Sequence, residues 1–362
     1  MKRLAVLGIA AAACVTAWMS AASAQEVTTI TGAGSTFAHP VLTKWSRAYR
    51  QVQLGNGDYP TTNSGLEDPQ SGSLLDYEPS GSLAGTMRVK DRAVDFGATD
   101  APLKSEELAR LGLGQFPIVI GGVVVVVNVE GVGPGQIKFT GPLLADIFMG
   151  KIQTWSDPAI KAVNPDLKLP DARIAVIHRA EGSGTTFNVA DYLAKVSPSW
   201  REKMGVDTVL KWPTGTGVKG NDGVAQAVKR TNNAIGYIEY TQAVQAKLND
   251  ALIQNSAGTF VRPDTRSFQA AAARADWGKS RDFHLLLTDA PGSDAYPIAA
   301  TVFVLMHKQP TWMLKPRATF DFFRWTLDHG AKHAADLGYV PLPATLTSQV
   351  KDYWSRTFKT GF

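Results

Sequence analysis

The segment Arg179-Ala180-Glu181-Gly182-Ser183-Gly184-Thr185-Thr186-Phe187 sets an arginine, an acid, two glycines and three hydroxyls side by side. Those are residue types for holding an oxyanion. Residues 174–177 before them are β-branched and apolar, and residues 187–194 after them repeat apolar positions at helical spacing, so a strand empties through a glycine turn into a helix. The first N–H groups of such a helix lack intrahelical partners and the macrodipole adds partial positive charge there, so an anion can be held without a lysine. Ser183 and Thr185 add hydroxyl donors, Gly184 lets backbone approach a ligand, and Glu181 can pair with the Arg179 fork and orient it.

One such turn is also an ordinary helix cap, so its recurrence carries weight. Gly32-Ala33-Gly34-Ser35-Thr36-Phe37 again ends a strand in small residues, before a helix with Val41, Leu42, Trp45, Ala48 and Tyr49 on one face. Pro79-Ser80-Gly81-Ser82-Leu83-Ala84-Gly85 is a third turn, ahead of a helix through Met87. A fourth element, Val94-Asp95-Phe96-Gly97-Ala98-Thr99-Asp100-Ala101-Pro102, ends a strand in acid. Asp100 either caps the following helix or faces the ligand. A carboxylate beside an anion repels it unless the anion carries a proton to donate, which hydrogen phosphate has and fully ionised sulfate lacks. Facing sulfate, Asp100 would be a buried, unpaired charge, and mismatches of that kind discriminate by ~10⁴–10⁵.

These turns need a scaffold that alternates strands and helices. Short β-branched runs predict strands at 28–31, 93–97, 123–129, 174–177, 234–238 and 302–306. Helices are expected to begin near Phe37, Leu83, Ser105, Leu143, Thr186, Gly223, Ala318 and Ala344, which together make an α/β architecture. A length of 362 residues suggests two domains. Residues 51–76, rich in Gly, Asn, Ser, Pro and acid, read as an extended surface loop. The apolar run 118–129, interrupted by Gly121, Gly122 and Asn128, is too short for a ~20-residue membrane span and reads as a buried strand, or two joined by a bend. Lys2 and Arg3, the apolar stretch 4–18 and Ala22-Ser23-Ala24 form a signal peptide, residues 1–24, with cleavage expected after Ala24. Cys14, the sole cysteine, would leave with it unless it serves as a lipid-attachment site. The mild excess of base, 37 Lys and Arg against 32 Asp and Glu, does not call for a nucleic-acid partner.

Thr31 to Phe37, Val94 to Pro102, Gly150-Lys151-Ile152 with Trp155-Ser156-Asp157-Pro158-Ala159-Ile160, Arg179 to Thr186, and Gly220-Asn221-Asp222-Gly223 resemble, in order, the motifs of the periplasmic phosphate-binding proteins of bacterial phosphate-specific ABC transport systems. The resemblance runs from about Thr31 to the C-terminus. It implies a type II periplasmic-binding-protein fold: two α/β lobes, each a mixed sheet flanked by helices, closing on inorganic phosphate. Crossover strands would lie near 118–122 and 297–300. The first lobe would comprise 25–121, including the 51–76 loop, and 300–362; the second would comprise 122–299. By the matching motifs, ligand contacts fall on Thr36, Phe37 through its N–H, Ser82, Asp100, Arg179, Ser183, Gly184 and Thr185, with Ser35 and Glu181 behind them. The resemblance further implies a periplasmic monomer without cofactor or metal, delivering phosphate to an inner-membrane ABC permease with its ATPase. The family usually has aspartate where this chain has Glu181, and more glycine and serine around Ser82 where this chain has Pro79, Leu83 and Ala84.

Other classes stay open on the residues alone: a receptor for sulfate, molybdate or arsenate, a secreted phosphate-ester hydrolase, or an exported signalling protein that keeps the fold without the ligand. Glu181-Gly182-Ser183-Gly184-Thr185 lacks the glycine two before the serine that a nucleophile elbow needs, and sequence adjacency does not set His178 on Ser183. The turn also lacks the lysine of a nucleotide P-loop. His329 and His333 sit four apart on a helix predicted over 320–337, with no third metal ligand indicated. Trp45, Trp155, Trp200, Trp212, Trp277, Trp312, Trp325 and Trp354 are scattered and read as packing aromatics.

Overall fold

A strand buried on both faces reads as a nearly unbroken apolar run, and the longest here, Leu113–Asn128, is buried along its whole length except for its last residue. The computed structural model describes residues 29–53, 75–309 and 314–359; the expected leader with Cys14, residues 54–74 of the expected loop, and Trp312 lie outside the described residues. Among the described residues the strands are β1 (Ile30–Gly34), β2 (Leu75–Glu78), β3 (Phe96–Thr99), β4 (Leu113–Asn128), β5 (Lys138–Phe139), β6 (Ala175–Arg179), β7 (Thr216–Val218), β8 (Ala234–Glu239), β9 (Asn249–Asp250), β10 (Leu252–Gln254), β11 (Phe260–Val261) and β12 (Ala299–His307).

The main sheet runs β2-β1-β3-β12-β4-β8-β6-β7, with β9 also on β4, and β11-β10-β5 form a small sheet of their own. Strands β2, β1 and β3 pair in parallel, as do β8, β6 and β7. Between these groups β12 and β4 run antiparallel to their neighbours. The strand β4 serves both groups in succession: Leu113 to Gly122 face β12, and Val123 to Asn128 face β8. The architecture is a two-lobed α/β fold.

The apolar run 118–129 therefore lies, up to Asn128, in one strand that continues through its Gly-Gly step. The glycines answer a packing constraint: a Cβ on Gly121 would lie 2.9 Å from the Phe37 ring, and one on Gly122 would lie 2.1 Å from the Phe268 ring. The helix expected to begin near Phe37 runs His39–Gln53, and the Phe37 ring just ahead of it is fully buried.

Two further expectations change. Residues 51–53 close the helix His39–Gln53, and Leu75 and Asp76 belong to β2, so the expected loop 51–76 gives way to regular structure at both ends. The helix expected over 320–337 divides at Gly330 into Leu314–His329 and Ala331–Ala335, where Trp45 Nε1 donates to the Gly330 carbonyl at 2.8 Å. Short helices at Pro158–Val163, Pro198–Lys203 and Tyr240–Gln245 span fewer than two turns and leave little periodicity to read; each is opened by a side-chain cap, from Asp157, Ser197 and Glu239. Trp45, Trp155, Trp200 and Trp354 are buried in the core, and His329 and His333 flank the Trp325 ring at 6.1 and 6.0 Å between centroids.

Gly122 offers a direct test of the close-packed crossing. Phe268 is wedged between Tyr240 and Tyr296, at 5.1 and 5.3 Å between ring centroids, and has no room to retreat. Gly122→Ala is expected to destabilise the protein by about 1–3 kcal/mol through overpacking, read as a lower urea midpoint; a wild-type midpoint would contradict the account.

Candidate functional site

Arg179 ends β6 with only 3 % of its surface exposed. A guanidinium removed from water needs an acceptor for each of its five N–H groups. Nε donates to Glu181 Oε1 at 2.9 Å, and one Nη2 hydrogen goes to the same oxygen. Nη1 donates to Thr185 Oγ1 at 3.2 Å and to Asn221 Oδ1 at 3.0 Å, while Nη2 reaches Thr36 Oγ1 at 3.1 Å. Glu181 thus meets the arginine with one oxygen, which also accepts the Gly220 N–H at 3.0 Å; its Oε2 is buried without a partner. The pair is thus short of a two-oxygen fork. Burial pushes the Glu181 carboxyl up, but the Arg179 hydrogen bond and charge, with the N–H groups of Glu181 and Gly220, hold it below the ordinary value.

Beyond Glu181, the chain turns into the helix Gly184–Val196 with Ser183 as its cap, whose Oγ accepts the Thr186 N–H at 3.2 Å. Gly184 sits where any side chain would collide: its Cβ would lie 2.4 Å from Ser82 Oγ and 2.6 Å from Asp100 Oδ2. The third turn is thereby brought against the first. Ser82 opens the helix Ser82–Lys90 and its Oγ accepts the Asp100 N–H at 3.2 Å.

Asp100 follows β3 and is 2 % exposed. Its Oδ1 accepts the Ser35 hydroxyl, and Ser35 Oγ in turn accepts the N–H groups of Phe37 and Ala38 at 3.0 and 3.2 Å. Burial raises the Asp100 carboxyl to about 6, against the opposing pull of the Ser35 hydrogen bond, the Arg179 charge and the Thr185 and Ser82 hydroxyls. The helix that follows, Ser105–Leu111, begins at Lys104 without a side-chain cap, so Asp100 is not its cap.

Every residue singled out from the sequence falls in this one cluster: Ser35, Thr36, Phe37, Ser82, Asp100, Arg179, Glu181, Ser183, Gly184 and Thr185. Three amides in it were not singled out. Asn221 lies in the Gly220 to Gly223 motif and bridges Arg179 and Thr36, Asn188 donates to the main chain of Asp100, and Gln242 donates to the main chain of Thr36. Asn188 could have been found as the residue one helical turn past Gly184; Gln242 carries no local signal. The catalytic alternative finds no pairing here. His178 turns Nδ1 to the Arg179 carbonyl at 3.0 Å and stacks on Trp212, while the Ser183 hydroxyl oxygen is engaged as a helix cap. Among the described residues no group of three or more His, Cys, Asp or Glu side chains could hold a metal ion.

The cluster thus gathers a buried cation held by a carboxylate, a second carboxyl that burial raises to about 6, and hydroxyls at three helix starts. Residues 19–329 match the model of the PBP superfamily domain. The chain is 46 % identical over 330 residues to the phosphate-binding protein PstS of Xylella fastidiosa (strain 9a5c), covering 91 % of this chain and 86 % of that one. It is 41 % identical over 336 residues to the phosphate-binding protein PstS of Pasteurella multocida (strain Pm70), covering 93 % and 92 %. In fold it is similar to the crystal structure of a phosphate-binding protein from Stenotrophomonas maltophilia, with a TM-score of 0.60 at 17 % identity over 92 % of this chain and 96 % of that one. The chain belongs to the PBP superfamily and, within it, to the family of PstS phosphate-binding proteins.

Proposed function

We propose that this protein captures inorganic phosphate between its two lobes and delivers it to an inner-membrane ABC permease with its ATPase, making and breaking no bond. It acts in the periplasm as a monomer, after removal of residues 1–24. The first lobe comprises 25–121 and 300–362 and the second 122–299, a division supported by the change of partner along β4 between Gly122 and Val123. Phosphate is held by Thr36, the Phe37 N–H, Ser82, Asp100, Arg179, Ser183, Gly184 and Thr185. Ser35 and Glu181 orient Asp100 and Arg179. Relatives named as phosphate-binding proteins over nine-tenths of the chain support the ligand.

The observation that carries the reading is Asp100, a carboxyl buried among donors. Arg179 and the N–H and O–H groups match an oxyanion; Asp100 matches only one that still has a proton to give. Tryptophan emission of the mature protein should respond to phosphate and not to sulfate near neutral pH. Asp100→Asn, whose amide can donate to a fully ionised anion, is expected to narrow the gap between the two anions by at least tenfold; equal responses from the wild type would sink the role of Asp100.

The pH dependence follows from the Asp100 carboxyl lying near 6. Above that value Asp100 is charged and accepts a hydrogen bond from the phosphate O–H; below it the acid carries its own proton and no longer opposes sulfate. Sulfate binding relative to phosphate is therefore expected to rise as pH falls through about 6. The Ser35 hydrogen bond favours the charged form, so Ser35→Ala should move this transition to higher pH. Titration calorimetry across the range checks both, and a sulfate-to-phosphate ratio flat with pH would contradict them.

A further inference from the structure

Three neutral amides cross between the parts of the main sheet on either side of the β4 partner change, and each ends on a turn of the anion site. Asn188, on the helix Gly184–Val196, donates through Nδ2 to the carbonyl of Asp100 at 2.7 Å and to that of Gly184 at 2.9 Å. Asn221 donates through Nδ2 to Thr36 Oγ1 at 3.0 Å while its Oδ1 accepts from Arg179 Nη1 at 3.0 Å. Gln242 donates through Nε2 to the carbonyl of Thr36 at 2.9 Å. All three side chains are buried, at 1 %, 0 % and 7 % exposure. Their positions are set from behind: Glu239 caps the helix Tyr240–Gln245 by accepting the N–H groups of Thr241 and Gln242, at 2.6 and 3.0 Å, which fixes the base of the Gln242 side chain.

We infer that Asn188, Asn221 and Gln242 form a clasp that holds the two lobes closed and sets the affinity of the site without setting its selectivity. The inference rests on the phosphate-binding reading for its affinity readout, but both ends of every clasp bond are protein atoms. Separating the lobes would return these groups to water, whereas closure pairs them where an unpaired carbonyl is costly. Amides suit the position because they add donors beside an anion site without adding charge, leaving the balance between Arg179, Glu181 and Asp100 undisturbed. Asn188 and Gln242 grip main-chain oxygens, which carry no proton to offer an anion. Weakening their bonds lowers the closed fraction, and apparent affinity scales with that fraction identically for every ligand that the closed form accepts.

The test uses Asn188→Ala and Gln242→Met in the full mature chain, with folding checked by circular dichroism. Each is expected to weaken phosphate binding by roughly 3- to 10-fold, the factor for one net hydrogen bond, with the ratio of phosphate to arsenate affinity unchanged. Small-angle scattering of the ligand-free variants should show a larger radius of gyration than the wild type. A scattering profile matching the wild type overturns the clasp whatever the affinity, and so does a changed phosphate-to-arsenate ratio. If the wild type binds no phosphate, the proposed function fails and scattering alone decides the clasp. Should one variant not fold, the other decides by the same criteria.

Discussion

A guanidinium almost fully withdrawn from water governs the arrangement of everything around it. Arg179 has five hydrogens to place, and a buried charge left without acceptors would cost several kcal/mol, on the order that breaking one side of a buried ion pair costs. The acceptors come from three separate segments: Thr36 after β1, Glu181 and Thr185 on the turn itself, and Asn221 at the start of the helix Gly220–Arg230. No single element could satisfy the arginine. Meeting its demand draws together chain segments up to 185 residues apart in sequence, from Thr36 to Asn221.

The two carboxyls of the site show how surroundings, more than residue type, set a charge. Glu181 is partly buried and Asp100 almost wholly so, and one is held below its ordinary value while the other is raised to about 6. Glu181 touches the arginine directly and takes two backbone N–H groups as well, so its charge is matched on the spot. Asp100 receives chiefly hydroxyls, and feels Arg179 without bonding to it. Hydroxyls can rotate to donate or accept, so this second carboxyl sits among groups able to serve either of its protonation states. One acid therefore anchors a cation permanently, and the other stays chemically available.

The turns were legible in the sequence because their chemistry is local. Glycine next to hydroxyls after a β-branched run describes a strand-to-helix turn wherever it occurs, and the Arg179 to Thr185 segment carries its pairing acid within two residues. The contacts of Asn188, Asn221 and Gln242 were not legible for the opposite reason. An amide inside a helix has no pattern of its own, and its partners Asp100 and Thr36 lie 88, 185 and 206 residues away in sequence. The same limit hid β2, four residues with a half-exposed face that become a strand only by pairing with β1. The Gly121-Gly122 step was visible as a feature, but its reason was not, because the rings that need the space belong to Phe37 and Phe268.

That step also explains why the Thr36-Phe37 turn lies where β4 changes partners. Phe37 directly follows Thr36, and its ring fills the space left by the missing side chain of Gly121. The Phe37 carbonyl accepts the Tyr339 hydroxyl at 2.8 Å, and Val340 bridges back to Ile120 on the same strand. Strand, ring and turn are thus one packed unit, since a close-packed interior transmits displacement without absorbing it. Any change in the direction of β4 at Gly121 meets Phe37 first and reaches Thr36 through a single peptide unit. Turns alone would need their own rigidity; here the rigidity is borrowed from a strand that pairs with β12 and then with β8.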